Sequence, residues 1–289
     1  MNDYVILTDS SADLTEEWVQ ELDLKVLPLT FIMEEKSYFN YPDNREMDPK
    51  EFYARLAAGT VATTNAINVG QAYEAIEPLL REGKDVLVLA FSSGLSTTCN
   101  SLQIAASELA EKYPEQKIYA VDTLCASLGQ GMLVYHACQQ KKAGRTIEEV
   151  RDWVEENKLH QCHWFTVNDL FYLKRGGRVS AATAVVGTML SIKPVLHMDD
   201  EGHLINMSKA RGRKSSLLAL VDKVGELGTD FNETMFISHS DCLEDAQFVA
   251  DEVRRRYGTR DIRINYIGPV IGAHTGPGCV ALFFTGKHR

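Results

Sequence analysis

The chain has 289 residues, 45% of them apolar and 24% charged, with a formal net charge of −10. This composition is globular rather than disordered, and the acidic balance excludes broad nucleic-acid binding, which needs a basic face. The longest strongly apolar run, residues 86–91, falls far short of the roughly twenty residues of a membrane-spanning helix. The first residues lack the basic and long apolar regions of a signal peptide, so a cytoplasmic protein with no stable membrane insertion is expected. Cys99, Cys125, Cys138, Cys162, Cys242 and Cys279 are scattered without a CxxC pair. They read as reduced thiols.

In chain order, residues 4–7 predict a strand, followed by the polar turn Thr8-Asp9-Ser10-Ser11. Asp13 and Glu16 have capping-box spacing for a helix reaching Leu22, and residues 25–32 read as a second strand. Asp48-Pro49-Lys50-Glu51 combines an N-cap acid with proline in the first turn, predicting a helix that stops near Gly59. Residues 60–65 read as a polar linker, 70–82 as a helix and 85–91 as a strand covered on both faces. Ser92-Ser93-Gly94-Leu95-Ser96-Thr97-Thr98 then leads into a helix through Lys112. A strand at 117–121, a helix at 126–141 and a helix capped by Thr146 and Glu149 complete the first half. Such alternation predicts an α/β lobe, a parallel sheet flanked by helices.

From about residue 160 the pattern changes to a mixed α+β lobe. Strands are predicted at 164–167, 235–239, 263–267 and 280–284, a short helix at 169–173, and a helix at 243–257. Residues 194–198 and 204–208, separated by Asp199-Asp200-Glu201-Gly202, predict a β-hairpin. Gly268-Pro-Val-Ile-Gly272-Ala-His274-Thr-Gly-Pro-Gly278 reads as a turn-rich loop.

The chemistry-bearing candidates sit in loops. Residues 92–98 follow a buried strand and precede a helix, the crevice position where open α/β sheets bind ligands. A helix N-terminus there favours an anion, and the Ser93 and Ser96 hydroxyls add uncharged donors. Thr63-Thr64-Asn65 and Thr8-Asp9-Ser10-Ser11 are two further hydroxyl-rich loops expected at the same sheet edge. His274 is either a structural histidine or a site residue. No G-x-S-x-G elbow marks a serine hydrolase, and His160-Gln-Cys162-His163 lacks a second ligand cluster, so it reads as structural. Two basic clusters, residues 174–178 and 209–214, stand out against the acidic background.

Five motifs in one order carry a resemblance: residues 8–14, Thr63-Thr64-Asn65, residues 92–98, Leu173-Lys-Arg-Gly-Gly-Arg178-Val-Ser180 and residues 268–278. Together they resemble the DegV family over essentially the whole chain. Two stretches depart from the family pattern: Thr64-Asn65-Ala66-Ile67 where Thr-Ser-Gln-Pro is common, and Ser96-Thr97-Thr98 where Ser-Gly-Thr is common. The resemblance implies one unit of two lobes, residues 1–160 and 161–289, with a long-chain fatty acid buried between them. It implies no enzymatic activity and no cofactor, but presentation of the acid to a separate fatty acid kinase. Carried over, Thr64 and Ser96 bind the carboxylate, Ser93 and His274 belong to the same polar network, and Arg178 contacts a partner or a phosphate. Residues 184–190 are candidates for the acyl tunnel. The alternative is a small-molecule hydrolase or phosphotransfer enzyme using the Ser96/His274 crevice.

Overall fold

The computed structural model describes residues 3–180 and 192–289. Strands β1 (Tyr4–Asp9), β2 (Lys25–Leu27), β6 (Asp85–Ala90) and β7 (Ile118–Asp122) form a parallel sheet in the order β2-β1-β6-β7. Both β1 and β6 are buried along their whole length, as the unbroken apolar run of β6 requires. Helices α3 (Val69–Arg81) and α4 (Thr98–Lys112) cover one face, and α5 (Leu128–Lys142) and α6 (Ile147–Asn157) the other. The starts of α2 (Pro49–Ala57) and α6 follow the sequence reading. Asp48 accepts the Lys50 and Glu51 N–H groups, and Thr146 and Glu149 complete a capping box.

Three expectations are corrected. Helix α1 (Glu16–Glu21) is capped by Thr15, whose Oγ1 accepts the Trp18 N–H, while Asp13 is buried with a left-handed backbone, φ 51°. The single strand expected at 25–32 is two strands. Pro28 has no N–H for a ladder, so β2 ends before it and β3 (Thr30–Met33) joins a different sheet. There β3 pairs antiparallel with β4 (Lys36–Phe39) and with β5 (Ala62–Asn65), which takes up most of the expected linker. Finally, the glycine- and proline-rich segment at 268–278 contains a helix, α10 (Pro269–Thr275), with proline at its first turn.

The second half supplies strands β8 (Gln161–Thr166), β9 (Ile192–Met198), β10 (Leu204–Arg211), β11 (Met235–His239), β12 (Ile262–Tyr266) and β13 (Val280–Thr285). They form a mixed sheet in the order β10-β9-β8-β13-β11-β12, in which β11 and β12 run parallel and the other neighbours antiparallel. The expected hairpin is β9 and β10. Helices α8 (Arg213–Leu227) and α9 (Leu243–Tyr257) pack on its outer face, and the short α7 (Phe171–Arg175) follows β8.

Helix α5 joins the two large sheets. It is buried on every side from Leu128 to Val134, and one apolar cluster runs from Leu87 and Leu89 through Met132 and Leu133 to Phe165, Phe236 and Phe283. A helix apolar all round belongs between layers. All six cysteines are unpaired thiols, and only Cys242 is not fully buried.

A second junction lies at the tip of the β9–β10 hairpin. Gly202 has φ 76° and its carbonyl accepts the Ser92 hydroxyl at 2.9 Å. A methyl group on Gly202 would overlap Ser92 Oγ, and one on Gly94 would press on the Glu201 and Gly202 carbonyls. Gly202→Ala therefore meets both left-handed strain and a clash, each worth about 1–3 kcal/mol. Its urea midpoint should fall well below that of the parent; equal midpoints would mean that the hairpin tip does not bear on the β6–α4 loop.

Candidate ligand-binding site

Beyond the carboxyl edge of the parallel sheet, against the mixed sheet, lies a cavity of about 370 Å³, within the ordinary range for small-molecule sites of roughly 300–1,000 Å³. Its walls are largely apolar. Phe165 comes from β8, Met198 and Leu204 from the hairpin, Ala281 and Phe283 from β13, and Val270 and Ile271 from α10, with Leu29, Phe91, Leu95, Leu173 and Ile267 among the others. Thr64, Asn65, Ser93, Ser96, Arg178 and His274 also line it. All five positions singled out in the sequence thus face one space, although β5 and α10 are far apart along the chain.

Thr64 and His274 form the centre of the polar lining. Thr64 Oγ1 lies 2.8 Å from His274 Nε2. Burial, with Arg178 and then Arg175 nearby, pushes the His274 pKa down to about 4, so the ring is neutral at pH 7. Its Nδ1 is buried with no partner among the described residues and faces Gly176. An N–H aimed there would be an unsatisfied buried donor, which is costly. We therefore assign the proton to Nε2. Thr64 then accepts from His274 and has its own hydroxyl proton free to donate into the cavity.

Ser96 is partly committed elsewhere. Its hydroxyl donates to Thr98 Oγ1 at 3.0 Å and accepts the Thr98 N–H at 3.2 Å, serving the start of α4. Ser93 is exposed at the rim, its N–H donating to Asp122. Arg178 is half-buried. Its Nε–H donates to the Leu95 carbonyl at 3.1 Å, and a second donor reaches the Gly176 carbonyl. Burial alone lowers its pKa, with no acidic side chain among the described residues opposing the shift. A cation held in an apolar wall by two neutral carbonyls is a ready counter-charge for an anion.

The third hydroxyl-rich loop is not part of the lining. Asp9 ends β1 and accepts the Ser11 N–H and O–H and the Phe91 N–H, while Ser10 Oγ accepts the Leu29 N–H. These buried bonds brace the sheet edge beneath the cavity. Around His163, Nδ1–H donates to the Gln161 carbonyl and Nε2 accepts the Ala126 N–H; His160 bonds to the Gly286 carbonyl. No group of three or more possible metal ligands occurs among the described residues. His163 and Ser127 also line the cavity; His163 belongs to the stretch read as structural, and Ser127 lies in no motif. The tunnel candidates at 184–190 lie outside the described residues.

Fold and cavity together define the class: an α/β protein with a parallel sheet flanked by helices, a separate mixed sheet, and a largely apolar chamber with polar and cationic side chains in its lining. The family model described as "Uncharacterised protein, DegV family" matches residues 3–287. A DegV domain-containing protein of Clostridium perfringens is 48% identical over 290 residues, covering 100% of this chain and 99% of that one. The chain belongs to the DegV family. Among solved structures, a Thermotoga maritima protein described as revealing fatty acid binding function is 31% identical, with a TM-score of 0.84 over 99% of this chain and 100% of its own. A fatty-acid-binding DegV family protein from Thermus thermophilus is 28% identical, with a TM-score of 0.87 over 99% of this chain and 100% of its own. No helix among the described residues is long and apolar enough to cross a membrane.

Proposed function

We propose that this chain binds one long-chain fatty acid between lobes 1–160 and 161–289 and presents it, in the cytoplasm, to a fatty acid kinase. The carboxylate lies beside Thr64, Ser96 and His274, with Ser93 at the rim and Arg178 as counter-charge. The observation that carries this reading is the pairing of an apolar chamber with donors that are neutral or cationic, and the fatty-acid-binding relatives support it. Each buried methylene contributes about 0.8 kcal/mol, so the tail supplies most of the affinity and the polar groups fix orientation.

Binding without chemistry is supported by how the candidate nucleophile is placed. Among the described residues, His274 bonds to Thr64 rather than to Ser96, and no carboxylate orients its ring, unlike a hydrolytic triad. The test begins with denaturing extraction of purified protein and mass spectrometry of the extract. A stoichiometric fatty acid is expected, and adding oleate to stripped protein should raise its melting temperature by roughly 5 °C at a hundredfold excess over Kd. Loaded protein given to a fatty acid kinase with ATP should yield acyl phosphate. An empty cavity with a melting curve indifferent to oleate would sink the binding reading; loading without phosphorylation would sink presentation.

A further inference from the structure

The loop after β1 sends a carboxylate across the lobe boundary. Asp13 is 6% exposed. Its Oδ1 accepts the N–H of Gly268, the cap of α10, at 2.9 Å, and its Oδ2 accepts the Ser127 hydroxyl at 2.5 Å. Ser127 Oγ lies 2.9 Å from Ser238 Oγ on β11, and the Asp13 carbonyl accepts from Asn265 of β12 at 2.7 Å. Helix α10 has no cap from its own Gly268; Asp13 supplies one from the other lobe. The titratable groups around Asp13 are Asp9 of β1, Tyr53 of α2 and Cys279 ahead of β13, none of them a cation.

His274 is six positions beyond Gly268, so at 1.5 Å per residue its backbone lies roughly 9 Å from the anchor along α10. The helix is held along the cavity wall, with Tyr53 bonding to the Ile267 carbonyl at 2.7 Å and leaving no room for a side chain at Gly272. A tilt at the Asp13 end therefore moves His274 relative to Thr64. Ser127, on the other carboxylate oxygen, also lines the cavity and has φ 53° and ψ −147°. Such a backbone is strained for a non-glycine residue and persists only where neighbours hold it.

We propose that Asp13 is a positioning residue for the head-group end of the cavity, setting the placement of His274 through α10 without touching the ligand. Its consequence for ligands rests on the fatty-acid reading; its consequence for His274 does not.

The experiment compares the parent, Asp13→Ala and Asp13→Asn in ligand-free and loaded protein. Asparagine keeps the size and one acceptor, so this variant folds if alanine does not. Imidazole nitrogen NMR of ligand-free protein should show the His274 Nε2 resonance displaced in both variants, more in Asp13→Ala. With ligand, fatty acid affinity should fall about tenfold in Asp13→Ala while that of the matching fatty alcohol changes less than threefold, a loss of selectivity that mere softening would not give. The carboxyl is also a stability reporter. Burial raises the Asp13 pKa from 3.8 to about 7, so between those values the folded protein holds a proton that the unfolded chain releases. Stability therefore declines as pH rises through this window, and Asp13→Asn should flatten the slope. Asp9, raised in the same direction by burial, leaves a remainder. An unmoved His274 resonance in Asp13→Asn overturns the proposal. So does equal loss of acid and alcohol affinity; an unaltered pH slope would overturn only the raised carboxyl pKa. Failure of the parent to bind fatty acid, with His274 displaced as expected, would overturn only the ligand reading.

Discussion

Gly176→Ala should weaken fatty acid binding by ten- to a hundredfold while leaving the protein folded. Gly176 has ordinary right-handed helical angles, φ −75° and ψ −8°, so alanine costs the backbone nothing in strain. Its methyl group, however, would overlap His274 Nδ1. The ring must swing away, and the bond to Thr64 is lost with it. Thr64 then loses the partner that orients its hydroxyl toward the carboxylate, and a hydrogen bond to a charged group contributes about 1.5–3 kcal/mol, which bounds the expected factor. The overpacking itself costs about 1–3 kcal/mol of stability, visible as a modestly lower urea midpoint. In a His274→Ala background there is no ring to displace, and Gly176→Ala should add almost nothing. Parent-like affinity in the single variant would show that His274 has no part in holding the ligand.

The second large effect concerns the two hydroxyls. Thr64→Val keeps the shape, deletes the donor and strands His274 Nε2, so it should lower affinity by tens-fold. Ser96→Ala should cost severalfold only, because that hydroxyl is already engaged with Thr98 and must turn away from it to reach a carboxylate. If both contact one head group, the double variant should fall short of the product of the singles, the signature of a shared partner. Fatty alcohol, lacking charge, should separate the variants poorly, and tail burial should keep binding measurable throughout. Full fatty acid affinity in the double variant would place the head group at the other end of the cavity.

Much of the architecture was legible because it rests on local signals. The apolar run of β6, the Asp48-Pro49 start of α2, the Thr146/Glu149 capping box and the β9–β10 hairpin each follow from short-range chemistry. What escaped depends on contacts that no short stretch encodes. Strand β5 is half threonine and partly exposed, so it reads as linker until β3 is beside it. Helix α10 is bounded by Gly268-Pro269 and by Gly276-Pro277-Gly278, which advertise turns; its interior Gly272 is explained only by the Tyr53 hydroxyl against it. Asp13 has the spacing of a helix cap, and it does cap a helix, but one 255 residues further along. The five positions proposed for the site were singled out through the order of their motifs and line one cavity, whereas Ser127, in no motif, and His163, in a stretch read as structural, line it as well.

The burial of five cysteines and the partial burial of Cys242 make the chain chemically quiet. Burial pushes the thiols of Cys125 and Cys242 up to about 11 and those of Cys99, Cys138 and Cys162 to about 12, and it raises Cys279 further. Since the thiolate is the reactive form, none presents a usable nucleophile at neutral pH, and the folded protein carries an almost blank background toward maleimides. A cysteine introduced at the rim position Ser93 would be the only thiol to take a fluorophore quickly. The native sequence is thus already prepared for a single-site optical reporter of cavity occupancy, with no native thiol to remove first.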